Sequence, residues 1–371
     1  MAEAGTEPDD QYPSGFPIFA PEDFELICAI GSAFRHTTVI YLARHVLSDQ
    51  TVVIRRCNAD LLTDDELQQL AWEAQSSHWL QHSNVSPFLA SFVAGMEVWT
   101  VGQLMHYGSC SDIISAGFPF GLSELVIAFI LYDTLQALAY LHRMGYIHRG
   151  VTLRHLLVGL DGHSRLGGQR CMLDQYHHGV QHKKEFLFDS PVTTFPWLAP
   201  EVLEQNLAGY DYKSDIYSIG VCAVELAHGV TPFADMTTTQ MLLLKLTSDP
   251  PTLVEPPTGP KRFSAHFHSF VNSCLDRDPG KRPSATRLLL HPFFKQIKRK
   301  DCGVWMVPQL IYPVYPLNPE NQEISGDEGP LPLDSLLDYN DPPEPFWDFD
   351  TNPPMAAAAA TAEAAATVQE T

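Results

Sequence analysis

Hydrophobic and polar positions change their period near residue 110. Before it, short stretches rich in β-branched and apolar residues, at 25–30, 38–44, 51–56, 88–94 and 98–104, read as strands. Between the third and fourth, Thr63-Asp64-Asp65-Glu66 has the reciprocal pattern that starts a helix. Leu67, Leu70, Ala74 and Leu80 then follow near helical spacing. From about Ser111 the chain turns helical. Ser123 stands before a helix carrying Leu125, Phe129, Tyr132, Leu135, Leu138 and Leu141, and Gly145 stands at its C-terminal cap. A second, largely buried helix spans 215–228 and stops at Gly229. Further helices are predicted at 239–246, 263–274 and 284–290. Residues 1–20 have no periodicity, and the stretch from 301 has 11 prolines and none sustained. The pattern therefore predicts an α+β chain in three parts. Residues 1–20 form a disordered N-terminus. Residues 21–300 fold as a sheet-rich lobe followed by a larger helical lobe. Residues 301–371 form an acidic, Pro-rich and Ala-rich disordered tail.

Composition narrows the function classes. The 371 residues are 45% hydrophobic, ample for a core, and the net charge of −21 argues against nucleic acid as a partner. From Asp301 onward there are 13 acidic residues and no Lys or Arg, which leaves −8 on the part before it. Seven scattered cysteines without a C-x-x-C pair suggest reduced intracellular thiols rather than disulfides or a zinc site. The start, MAEAGTEPDD, is neither a secretory signal nor a transit peptide. No apolar run reaches about 18 residues, so no membrane span is expected. The alanine run from Ala356 reads as low complexity.

The candidate chemistry is a set of phosphoryl-transfer motifs with their functional groups exchanged. Gly31-Ser32-Ala33-Phe34-Arg35-His36, between the first two strands, keeps one glycine of a phosphate-cradling G-x-G-x-x-G. A partial cradle and an ordinary turn both remain open. Val52-Val53-Ile54-Arg55 puts arginine where V-A-I-K has lysine, and Glu73 is its natural partner. His148-Arg149-Gly150-Val151-Thr152-Leu153-Arg154-His155 is in register with H-R-D-L-K-P-E-N. Gly150 replaces the base, Thr152 the phosphate-facing lysine and His155 the metal-binding asparagine. Gly168-Gln169-Arg170 replaces D-F-G. The first Asp accepts a proton and the second holds magnesium, and glycine does neither. No catalytic residue and no metal site is therefore expected. His155 reads as a packed or surface histidine, since a second ligand at 168 is missing. For Arg170, a guanidinium neutralising phosphate without metal and one facing solvent or a partner are both open. Ala199-Pro200-Glu201, Asp215 through Gly220, and Arg282 keep the framework motifs, with Arg282 placed to pair with Glu201.

This set resembles the protein kinases and implies their bilobal fold. It implies a nucleotide cleft at Ile30, Gly31, Val39, Arg55, Glu73, Leu104, Met105, Leu157 and Arg170, in which ATP could bind without magnesium. More narrowly, the chain resembles the STRAD family, the sterile-twenty-related adaptor pseudokinases. The resemblance rests on GYIHR at 145–149, WLAPEVLEQNLAGYDYKSDIYSIG from Trp197, TQMLLLKL from Thr239 and FFKQIKRK from Phe293. It implies an inactive protein that allosterically activates a Ser/Thr kinase of the liver kinase B type. The client would be contacted through the activation segment at Thr193, Phe195 and Trp197. It also implies a helical-repeat scaffold of the calcium-binding protein 39 type, and a cytoplasmic and nuclear location. The family's Trp-Glu-Phe docking motif has its match in Trp347-Asp348-Phe349, made internal by the 22 residues that follow. Two other readings stand beside the adaptor. One is a pseudokinase scaffold for other clients. The other is an atypical enzyme, which needs a substitute carboxylate such as Asp161 or Asp174.

Overall fold

Five strands, β1 (Phe24–Ala33), β2 (Thr38–His45), β3 (Gln50–Asn58), β4 (Phe88–Ala94) and β5 (Glu97–Gln103), form one antiparallel sheet in the order β1-β2-β3-β5-β4. The computed structural model describes residues 19–33, 37–86, 88–177, 180–181, 194–204, 209–254 and 262–297. Strand alternation divides the sheet into two faces. Phe24, Ala43, Val52, Ile54, Trp99 and Val101 form the lobe's own core on one face. Val53 and Arg55 lie on the other, where helix α1 (Asp64–Trp79) meets the sheet.

The predicted start of α1 is present. Thr63 N donates to Glu66 Oε2 at 2.8 Å, and Glu66 N donates to Thr63 Oγ1 at 3.3 Å. The three acids in its first turn complement the positive end of the helix dipole.

The second lobe is helical. Helix α2 (Cys110–Gly117) opens on a second capping box, Ser109 with Asp112. Helix α3 (Glu124–Arg143) is long and apolar enough to cross a membrane, but most of its apolar residues are buried in the lobe's core. Three short pairings follow it among the described residues: β6 (Tyr146–Ile147) with β9 (Leu173–Asp174), β7 (Leu156–Val158) with β8 (Ser164–Leu166), and β10 (Tyr176–His177) with β11 (Val180–Gln181). Beyond α4 (Pro200–Leu203), helix α5 (Lys213–His228) runs through the centre, buried along nearly its whole length. It ends at Gly229, where φ is 76° and a Cβ would lie 2.5 Å from the Pro119 carbonyl. Helices α6 (Thr238–Thr247), α7 (Ala265–Cys274) and α8 (Ala285–Leu288) complete the lobe. Phe293 stacks on Phe267 and Phe270 at 4.7 and 5.1 Å between ring centres, which ties the chain's last described turn to α7. The expected bilobal α+β fold is present, and the predicted helix at 284–290 is shorter than read, with Ser284 as its cap.

Candidate functional site

The loop 148–155 is held from below by one buried carboxylate. Asp215, at the start of α5, accepts from the backbone N–H of His148 at 2.8 Å and of Arg149 at 2.9 Å, and from His142 Nε2 at 2.9 Å. Burial works against its charge, but the His142 hydrogen bond and the neighbouring imidazoles outweigh it and hold the carboxyl below its ordinary range. Arg149 is thereby kept at φ 63°, a left-handed conformation a side chain seldom adopts. The buried His148 ring takes Gly150 N–H on Nδ1 at 3.2 Å and bonds Gly167 O through Nε2 at 3.0 Å. Burial depresses its pKa to about 4, so it is neutral and structural.

Above this support, the exchanged positions form one packed cluster. Nδ1 of His155 donates to Gly150 O at 2.5 Å, with the buried Thr152 hydroxyl 3.5 Å away. Burial lowers the His155 pKa, which suits a neutral donor. Its ring covers Gly168, where φ is 81° and a Cβ would stand 2.6 Å from the imidazole. A Cβ at Gly150 would meet His155 Nδ1 at 3.4 Å. The carboxylates are thus replaced by glycines, and the space beside them is filled by the histidine. Among the described residues no group of His, Cys, Asp and Glu converges to hold a metal ion.

The two residues after Gly168 turn inward. Gln169 donates to Ser86 O at 2.9 Å and to Leu166 O at 3.2 Å. Arg170, 5% exposed, reaches the first turn of α1, where Nη2 donates to Glu66 O at 2.9 Å. Neither orientation expected for Arg170 is the one found, because the short turn 169–171 packs against α1 and buries the side chain. Arg55 lies 3.1 Å from the Glu73 carboxylate and donates to Thr100 Oγ1 at 3.1 Å. Glu73 is 1% exposed and feels the charge field of Arg170 as well, so two cations share one buried acid.

The remaining cleft positions divide. Ile30 and Leu157 are half-buried, Leu104 and Met105 are buried, and Gly31 faces Ile40. Met105 sulfur lies 3.8 Å from the Arg165 guanidinium. Val39 is on the wrong face: its cross-strand partner is Arg56, whereas Arg55 is paired with Ile40. Thr38, Ile40 and Leu42 are among the β2 residues on the Arg55 face, and the V-A-I-K register could have located them. A cavity of about 410 Å³ opens beside β5, lined by Gln103, Leu104, His106, Gly159, Leu160, Asp161 and Arg165. The apolar positions fit a base, and the excess of cations over acids at Arg55, Glu73 and Arg170 fits phosphate. The cluster at His155 and Gly168 does not fit a metal ion. Neither substitute carboxylate reaches that cluster. Asp161 is paired with Arg165 at 2.7 Å on the β7–β8 turn, and Asp174 is exposed on β9.

The framework expected around Glu201 is complete. Both its oxygens are taken by Arg282, at 2.6 and 2.8 Å, and Arg282 also bonds the carbonyls of Asp276 and Lys213. Three residues support the activation segment from beneath: Ser218, within the framework motif from Asp215 to Gly220, and Lys245 and Glu225, which sequence reasoning missed. Lys245 of α6, 4% exposed, donates to Phe195 O at 3.0 Å and Pro196 O at 2.6 Å. Ser218 Oγ donates to Trp197 O at 2.7 Å, and Glu225 accepts from Trp197 Nε1 at 2.9 Å and Thr231 Oγ1 at 2.7 Å. Burial brings the Lys245 ammonium down to about 7 and the Glu225 carboxyl up to about 7. Neither stands out in the sequence, although Glu225 falls in a helix that reads there as largely buried. Phe195 is buried in the lobe's core, so of the two expected contact residues that are described, the half-buried Trp197 is the one that borders the surface. Thr193, Trp347, Asp348 and Phe349 lie outside the described residues.

Comparison with known proteins follows the same lines. The family model of the protein kinase domain matches residues 34–294. The STE20-related kinase adapter protein alpha of Gallus gallus is 40% identical, covering 81% of this chain and 87% of its own. The Homo sapiens alpha protein is 38% identical over 89% and 86%, and the Homo sapiens STE20-related kinase adapter protein beta 33% over 88% and 86%.

Proposed function

The chain belongs to the protein kinase domain family, among the STE20-related kinase adapter proteins, and we propose that it is a catalytically inactive adaptor that activates a Ser/Thr kinase of the liver kinase B type. The supporting observation is that the framework and the chemistry have parted. Asp215, Glu201 and Arg282 hold the helical lobe as in a working kinase, while His155 fills the space beside Gly150 and Gly168. Such a protein acts through its shape, by binding the active form of the client better than the inactive one. The client contact is the segment around Thr193 and Trp197, whose carbonyls and indole are fixed from below by Lys245, Ser218 and Glu225. A helical-repeat scaffold of the calcium-binding protein 39 type takes the tail through Trp347, Asp348 and Phe349.

The test combines the purified chain with the client's catalytic domain and the scaffold and follows the client's phosphotransfer. Client activity is expected to rise with added chain and saturate, with no phosphate transferred by the chain alone. Unchanged client activity at saturating, demonstrated binding refutes the reading.

ATP is expected to bind with its base among Ile30, Leu104, Met105 and Leu157 and its phosphates toward Arg55, while Arg170 stays fastened to α1. It should stabilise the chain equally with magnesium or with chelator, by about 2.7 kcal/mol at a hundredfold excess over Kd. A thermal shift seen only with magnesium would contradict this.

A further inference from the structure

The loop that has lost its carboxylates presents a cation instead. In the 3₁₀ turn Leu153–His155, Leu153 is buried in the helical core and the His155 ring turns in onto Gly150 O. Arg154, between two inward side chains, is exposed. Its backbone is a fixed platform, since Asp215 holds the start of the loop and His155 N–H donates to Thr152 O at 3.0 Å. Arg165, Arg277 and Arg282 each have a carboxylate partner. Among the described residues no hydrogen bond or ion pair holds the Arg154 guanidinium. Glu225 feels its charge, but both Glu225 oxygens are engaged by Trp197 and Thr231.

We propose that Arg154 reads an acidic side chain, Asp or Glu, of the partner polypeptide that lies across this loop and the Trp197 segment. This rests on the adaptor reading above and names the chemistry of the same contact. A guanidinium offers a planar fork that matches a carboxylate in two-point fashion. Because the loop backbone is already fixed, only the Arg154 side chain itself is left to be ordered on contact. With aspartates at positions 150 and 168 the groove would repel an incoming acid, and glycines at both positions remove that repulsion.

The experiment measures binding of the full chain to a liver kinase B-type catalytic domain at two salt concentrations. Arg154→Glu is compared with the parent and with Trp197→Phe and Trp197→Ala. Since Arg154 is exposed, its reversal should leave the melting temperature unchanged, while affinity falls about tenfold and the salt dependence weakens. Replacing the client's surface acids by lysine one at a time should yield one variant that binds the parent poorly and Arg154→Glu normally. Parent-like affinity of Arg154→Glu, with binding lost in Trp197→Ala, overturns the proposal and leaves the adaptor reading standing. Failure of the parent chain to bind any such client fails the adaptor reading, and the proposal with it. Loss of binding when the client is treated with phosphatase assigns the anion to a phosphoryl group and overturns the carboxylate.

Discussion

Returning an aspartate to position 168 should destabilise the protein, and the structure says by how much. Gly168 has φ 81° and ψ 35°. A side chain there costs about 1–2 kcal/mol by conformation alone, toward the low end for aspartate, which tolerates the left-handed region. Its Cβ would stand 2.6 Å from His155 Cγ and Nδ1 and 2.8 Å from Cδ2, well inside contact distance. The ring cannot move aside without giving up its 2.5 Å bond to Gly150 O. Overpacking of this kind costs typically about 1–3 kcal/mol. Gly168→Asp should therefore lose about 2–4 kcal/mol. In a His155→Asn background the overpacking part should vanish and only about 1 kcal/mol remain. Urea unfolding of the parent, the two single variants and the double variant gives the coupling energy, expected at about 1–3 kcal/mol. Dependence of nucleotide binding on magnesium should appear only once His155 is replaced. A Gly168→Asp chain as stable as the parent, or strictly additive losses, would refute the claim that His155 occupies the metal-ligand space.

Two further outcomes follow from buried charges. Arg170→Leu removes the donor to Glu66 O, so amide exchange in the first turns of α1 should accelerate by about 1–3 kcal/mol of lost protection, and unchanged exchange there would show that Arg170 does not fasten the helix. Folded Glu225 keeps its proton to about 7, whereas the unfolded chain releases it near about 4.3, so stability should fall as pH rises between these values, by at most about 1.4 kcal/mol per unit. Folded Lys245 loses its proton near about 7, the unfolded chain only near about 10.4, so stability should rise with pH across that interval. Denaturation from pH 5 to 10 should show the first slope abolished in Glu225→Gln and the second in Lys245→Met, and slopes that survive both substitutions would assign them elsewhere.

Local signals carried most of the fold. The capping pattern Thr63-Asp64-Asp65-Glu66, the β-branched strands and the apolar spacing of α3 and α5 all act over a few residues, and each became the expected element. The pairing of Arg55 with Glu73 was legible because lysine-to-glutamate is a fixed relation in this fold, and only the residue type had changed. Val39 failed because a strand's face depends on register, and a single step reverses it. Lys245 and Glu225 were illegible because their environment comes from residues far away in sequence: Phe195 and Pro196 for one, Trp197 for the other. The inward turn of Arg170 was hidden for the same reason, since its acceptor is a backbone carbonyl, which no sequence pattern marks.

The exchanged motifs are better understood as fasteners than as losses. In an enzyme the carboxylates at 150 and 168 face a ligand that comes and goes, and the closed shape is stabilised only while it is bound. Here His155 bonds Gly150, Gln169 bonds Ser86 and Leu166, and Arg170 bonds Glu66, all within the chain. Two of these join the lobes, Gln169 to Ser86 and Arg170 to Glu66; at about 0.5–1.5 kcal/mol for the neutral bond and about 1.5–3 kcal/mol for the charged donor they are worth about 2–4.5 kcal/mol. A nucleotide at a hundred times its Kd supplies about 2.7 kcal/mol. The bonds between the lobes are therefore comparable to what a ligand would give, and they are present at every nucleotide concentration. A client that recognises this shape meets it already formed, so its apparent affinity carries no penalty from a minor binding-competent population. Under the proposed function, activation of the client would then follow the amount of this chain present rather than the supply of ATP.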